Sequence, residues 1–269
     1  MNKTKKILTG LKHEEYEHPF DRKALERLES IPFLTKACQW VTSNFYERIY
    51  TIQYTGSNLK VTSKNYPKIY EYLDYACKVL DLDRKPDLYI QWGYGINAFT
   101  IGAENPIIVL NSGLIDLCSE DEILFVVAHE CGHVKSNHML YHMMAQGINE
   151  IINAMPGGTL FAGGLQYALY YWYRMSEFTA DRAGLLCCQN KDAVITSFIK
   201  MAGLPINEYN NINASSFIEQ AENFKMLDDS NMNKVVKWLS IANNSHPWTV
   251  MRAAEILNWI KSGEYNRIV

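Results

Sequence analysis

The strongest constraint in the chain lies between Ser119 and Val134. Ser119 followed three residues later by Glu122 is a capping box, and Ile123, Leu124, Val126, Val127 and Val134 continue at helical spacing, so a helix starts near Ser119. Within this otherwise apolar helix stand His129, Glu130 and His133. Two imidazoles four residues apart are about 40° from alignment on one helical face, which lets both reach a single metal ion. Glu130, one residue on from the first imidazole, flanks such an ion and can take a proton from its water. A hydrolytic zinc site normally keeps three protein ligands and one open position, so the fold must bring a further ligand to this helix.

His138 does not supply it on a continuing helix, being nine residues beyond His129 and about half a turn out of phase, with no glycine between 134 and 137 to break the helix. His138 and His142 read as packing or surface residues. Glu177 is the better candidate. In the run from Arg174 to Gly184, Glu177 and Asp181 share a helical face with Gly184, and Ala180 lies beside them. Small residues there, with Ala128 and Gly132 on the first helix, let two backbones approach until the Glu177 carboxylate meets the metal. Asp181, one turn on, is placed to accept the ring N–H of a ligating histidine and fix its tautomer.

A net charge of −3 over 269 residues gives no electrostatic reason to expect nucleic acid. Six cysteines, at 38, 77, 118, 131, 187 and 188, form no CxxC pair and read as reduced core residues. The N-terminus lacks the apolar stretch of a secretory signal, so a cytoplasmic location, or one at the cytosolic face of a membrane, is expected. Residues 151–173 carry no charge and are long enough to span a bilayer. Their glycines, Pro156, Asn153 and Gln166 argue instead for a Gly-rich loop and a buried helix from about Leu165 to Cys188; membrane association is possible but not favoured.

Periodicity predicts helices over 21–28, 66–80, 193–202, 215–224, 233–242 and 248–260, and a hairpin of 49–52 with 59–62 about Gly56-Ser57-Asn58. Strands are expected at 88–92, 98–101 and 107–110, a small sheet directly before the histidine-bearing helix. Residues 1–85 form a helical and hairpin lead-in packed on a domain of residues 86–269. Glu14, Glu15, Glu17 and His18 in the lead-in could reach a metal and cover the cleft.

Several blocks resemble the zinc metallopeptidases of the HtpX and CAAX-prenyl-protease family, within the gluzincins: Asn97-Ala98-Phe99, Gly113-Leu114 with Asp121-Glu122, His129 to His133, Arg174 with Ser176-Glu177 and Ala180-Asp181, and His246-Pro247 with Arg252. They cover most of residues 95–255. The resemblance implies an α+β, mainly helical zincin-like fold, and one zinc ion per chain on His129, His133 and Glu177. Glu130 would be the general base and His246 the partner of the oxyanion, with Arg252 or Arg174 organising charge nearby. Asn97, Ala98, Phe99 and Arg252 would meet a peptide or unfolded-protein substrate added along the sheet edge. Competing readings are a membrane-associated quality-control protease and a non-catalytic regulatory protein that keeps the fold.

Overall fold

Four short strands, β1 (Leu59–Lys60), β2 (Asp87–Gln91), β3 (Ala98–Ile101) and β4 (Ile107–Asn111), form one sheet in the order β1-β2-β4-β3. Only β2 and β4 run parallel; β1 and β3 are antiparallel to their neighbours. The computed structural model describes residues 5–31, 34–36, 47–146, 158–226 and 247–269, with the side chains of 146, 158–163, 225 and 226 left aside.

Strand alternation sorts the sheet into two faces. Leu88, Ile90, Ala98, Ile108 and Leu110 enter the main core, shared with α3 (Pro67–Val79) and α5 (Glu120–Lys135). Tyr89, Ile101, Ile107 and Val109 point the other way, against Tyr50 and Tyr54 of α2 (Glu47–Ser57). Burial on both sides explains the unbroken apolar run of β4.

Residues 47–57 are therefore helical, not the first arm of a hairpin, and β1 pairs with β2 instead. The reason lies in spacing. Tyr50 and Tyr54 stand four apart, Tyr54 meets Phe99 edge-on at 5.4 Å, and Ile49 and Ile52 are left 45% and 67% exposed. Aromatic packing onto the sheet outweighs the strand preference of β-branched residues. Val61, Tyr72 and Leu73 share a core with Leu88 and Leu124, while Ala24, Leu28 and Leu34 join a second cluster with Trp172 and Phe178.

The other helices are α1 (Pro19–Glu29), α4 (Ser112–Leu117), α6 (Met139–Gln146), α7 (Gly158–Cys188), α8 (Lys191–Met201), α9 (Ala214–Met226), α10 (Thr249–Lys261) and α11 (Glu264–Ile268). The chain is thus α+β and mainly helical, with its small sheet beside α5. α7 begins at Gly158, earlier than the expected 165, and carries Gly163 and Gly164 within it. A mid-helix glycine costs up to about 1 kcal/mol relative to alanine, and burial of Leu169, Trp172 and Phe178 further along offsets that. Trp172 and Tyr173 are buried, so that part of the aromatic run is packing. No helix among the described residues is long and apolar enough to cross a membrane. The expected helix over 233–242 lies outside the described residues.

Candidate metal centre

Ser119 caps α5: its backbone N–H donates to Glu122 Oε2 at 2.6 Å, and the reciprocal bond to the Ser119 side chain is also made. Glu122 is further fixed by Lys200 Nζ at 2.7 Å and Thr196 Oγ1 at 2.6 Å. α5 is buried from Glu122 to His133, so the imidazoles it carries are delivered to the interior.

α7 runs antiparallel to α5 at very short range. An added Cβ on Gly132 would come within 2.7 Å of the Ala183 Cβ, and one on Gly184 within 2.6 Å of the Phe125 ring. This closeness aligns two i, i+4 pairs in opposite directions, His129 with Asp181 and His133 with Glu177. His129 Nε2 and His133 Nε2 are 3.2 Å apart, Glu177 Oε2 lies 3.5 Å from the first and Glu177 Oε1 3.3 Å from the second. One ligand atom from each of the three lies within 4.8 Å of the others.

The second nitrogens of the two imidazoles are held differently. His129 Nδ1 meets Asp181 Oδ1 at 3.0 Å, and Arg252 of α10 clamps Asp181 through Nε at 2.8 Å and Nη2 at 2.5 Å. Arg252 also approaches Glu177 Oε2, at 3.5 Å. It borders the cavity, but its guanidinium is committed to these two carboxylates. Burial raises the Asp181 pKa, and the Arg252 charge and bonds outweigh it, holding the carboxyl below its usual range. For His129, burial opposes protonation, yet the bonds to Asp181 and Glu177 win and lift it to about 9. His133 is pushed down, by burial and by the neighbouring His129 and His138.

His133 Nδ1 faces His138 Nδ1 at 2.9 Å, an arrangement excluded on a continuing helix. α5 stops at Lys135, and Asn137 adopts a left-handed φ of 53°. The His138 N–H then returns to the His133 carbonyl and the Asn137 N–H to the Val134 carbonyl, closing a Schellman motif. The overlooked signal was Asn137, the residue that most often replaces glycine at such a stop. His138 and His142 are both buried, and His142 stacks on Tyr173 at 3.7 Å and meets Ser176 Oγ at 2.8 Å.

Glu130 lies in the wall of a cavity of about 180 Å³ together with Asn97, Ala98, His129 and Glu177. The Thr100 hydroxyl donates to Glu130 Oε2 at 2.6 Å. Thr100 shares the inward face of β3 with Ala98, and that alternation was the available clue to it. Phe99 points to the opposite face, onto Tyr54. His246 lies outside the described residues; its neighbour Pro247 borders the cavity. Arg174 is buried. Cys131 keeps its proton, because a hydrogen bond with Cys77 and burial push its thiol well above the usual range.

In the lead-in, Glu14 and Glu15 are exposed, Glu17 is tied to Arg22 at 2.6 Å and His18 to Glu255 at 3.1 Å. Among the described residues only His129, His133 and Glu177 form a group able to hold a metal ion. Of the α1 side chains, Asp21 turns inward: its Oδ2 lies 3.1 Å from His138 Nε2 and accepts from the Thr179 hydroxyl at 2.6 Å.

The model of Peptidase family M48 matches residues 71–260. The chain is 29% identical over 266 residues to the plastoglobule-localized metallopeptidase 48, chloroplastic, of Arabidopsis thaliana, covering 98% of this chain and 77% of that protein. It is 28% identical over 158 residues to the protease HtpX of Pseudomonas syringae pv. tomato, covering 46% of this chain and 53% of the relative. With the protease HtpX of Xylella fastidiosa the identity is 35% over 132 residues, 37% of this chain and 46% of the relative, so the matches span about half of those bacterial proteins. With the family match running over more than half of its length, the chain belongs to Peptidase family M48 and is a protease of the metal-dependent kind.

Proposed function

We propose that the protein is a zinc-dependent metalloendopeptidase that holds one zinc ion on His129, His133 and Glu177 and uses Glu130 as general base. The observation that carries this reading is the convergence of two imidazole nitrogens and one carboxylate, with one ligand atom from each within 4.8 Å of the others. Zinc bonds of about 2.0–2.1 Å in a tetrahedron require edges of roughly 3.3–3.4 Å. The 3.2 Å between the two Nε2 atoms is close to that value, and the Glu177 carboxylate straddles the pair, with Oε2 3.5 Å from His129 Nε2 and Oε1 3.3 Å from His133 Nε2. Two imidazoles and a carboxylate are a catalytic zinc donor set that keeps the fourth position open, and the cavity lies beside it. When bound there, zinc supplies a water acidified toward neutrality and polarises the scissile carbonyl.

The protein's own groups do the rest. Asp181, clamped by Arg252, accepts the hydrogen bond of His129 Nδ1–H, which keeps the proton on Nδ1 and leaves Nε2 for the ion. Thr100 engages one Glu130 oxygen and fixes the plane of the carboxylate, whose other oxygen takes up a proton and passes it to the leaving amine. β3 pairs only with β4 among the described residues, so an extended peptide can add to its other edge through backbone hydrogen bonds, beside Asn97 and Ala98. His246 is the proposed partner of the oxyanion, next to Pro247 in the cavity wall.

The test is casein hydrolysis by the full chain, with zinc content measured alongside. Glu130→Gln should retain about one zinc per chain and lose activity by at least 100-fold. His133→Ala should lose both. Undiminished hydrolysis by Glu130→Gln would refute the proposed mechanism.

A further inference from the structure

Asp21 is fully buried, on a helix more than a hundred residues before the metal-ligand group. Its partners explain why it points inward. Asp21 Oδ2 faces His138 Nε2, and His138 Nδ1 faces His133 Nδ1, so two imidazoles and a carboxylate form one unbranched chain ending at a nitrogen of the metal-ligand group. Trp172 packs on the His138 ring at 5.5 Å, and the Thr179 hydroxyl holds the same Asp21 oxygen while accepting the His18 backbone N–H at 3.0 Å. Both ends of the chain are therefore fixed by packing, one at the Schellman turn of Asn137 and the other at the start of α1.

Hydrogen-bond chemistry gives this arrangement a direction. An imidazole that offers Nε2 to a metal must carry its proton on Nδ1. His138 Nδ1 then has to accept, which forces the His138 proton onto Nε2, where only a carboxylate or another acceptor can receive it. Asp21 is that acceptor. We propose that Asp21 and His138 are positioning residues of the metal centre, a relay in which His133 Nδ1–H donates to His138 and His138 Nε2–H donates to Asp21, so that α1 sets the tautomer and orientation of His133. The inference rests on the reading of His133 as a ligand. It gives the two ligand imidazoles unequal support: His129 has a carboxylate in direct contact, His133 one at the far side of a neutral ring.

A purely structural Asp21–His138 pair would tie α1 to the core without touching metal affinity. Zinc affinity of the full chain, measured by competition with a chelator, separates the two. Asp21→Leu and His138→Leu should each weaken zinc binding about 10- to 100-fold, the usual effect of losing a group that orients a ligand. His138→Gln, whose carbonyl can still accept from His133 Nδ1–H, should recover most of the loss. Glu255→Gln, which disturbs the other anchor of α1 at His18, should bind zinc like the unsubstituted chain. Should the α1 variants fail to fold, ring ¹⁵N spectra of the unsubstituted zinc-loaded protein still decide: His133 must be protonated on Nδ1 and His138 on Nε2. The opposite His138 tautomer, or wild-type affinity in both Asp21→Leu and His138→Leu while His133→Ala loses zinc, overturns the relay alone. Undiminished zinc binding by His133→Ala would instead remove the ligand reading beneath it.

Discussion

The Thr100 hydroxyl sits 2.6 Å from Glu130 Oε2, bridging the edge strand of the sheet and the helix that carries the histidines. Both residues are buried, at 7% and 5% exposure, so the bond is made away from competing water. A hydrogen bond to a charged group contributes about 1.5–3 kcal/mol. If that is spent on orienting the base, Thr100→Val lowers kcat about 10- to 100-fold while zinc content and KM stay near those of the unsubstituted protein. Steady-state kinetics with metal analysis checks this; a change in KM alone would contradict it.

Gly132 sets the distance between α5 and α7. Alanine there is favoured by helix propensity by up to about 1 kcal/mol, but its Cβ would lie 2.7 Å from the Ala183 Cβ and 3.2 Å from the Ala180 Cα. Overpacking of this kind costs about 1–3 kcal/mol, so the clash wins. Gly132→Ala should lower Tm and weaken zinc binding together, because separating the helices moves Glu177 from the imidazoles. Adding Ala183→Gly should restore both, and thermal melts of the single and double variants read the coupling.

Glu122 and Lys200 form a buried pair at 2.7 Å, with side chains 2% and 8% exposed. Burial alone would raise the Glu122 pKa; bonds from Lys200, Thr196 and the Ser119 N–H reverse it and hold the carboxyl below its ordinary value. A folded-state pKa below the unfolded one contributes stability that is present above the unfolded pKa of about 4.3 and is lost as pH falls through the folded value. Glu122→Gln should cost about 3 kcal/mol at neutral pH, since Lys200 is left buried without its counter-charge. Denaturant titrations should show that gap close as the pH is lowered below about 4.

Zinc that binds only the folded protein stabilises it by about 2.7 kcal/mol at a free concentration 100-fold above Kd. For a chain of this size that is a rise in Tm on the order of 5–10 °C. Chelation should reverse the shift, and Glu177→Ala should show none, as followed by differential scanning calorimetry.

The path from sequence to site was short where the determinants are local. The capping box at Ser119 and Glu122 marks the start of α5, and the spacing of Glu177, Asp181 and Gly184 already puts a small acidic face on one side of α7, which the structure sets against the two imidazoles. Tyr50 and Tyr54 were harder: an apolar β-branched stretch looks like a strand until the sheet face that it packs on is known. The contact of His138 with His133 was not foreseen because the stop of α5 depends on an asparagine in a left-handed conformation, where a glycine would have been conspicuous. Asp21 and Thr100 offered almost no signal alone, since each acquires its role from a partner on another element.

The clamp on Asp181 comes from Arg252 in α10, well over a hundred residues after β3 and far along the polypeptide from Asp21. A nascent chain leaving the ribosome has both histidines and Glu177 outside long before that guanidinium appears. The geometry of the centre is therefore completed only when α10 docks against α7, so the last of its supports to be synthesised is also the one that ties a distant helix to it.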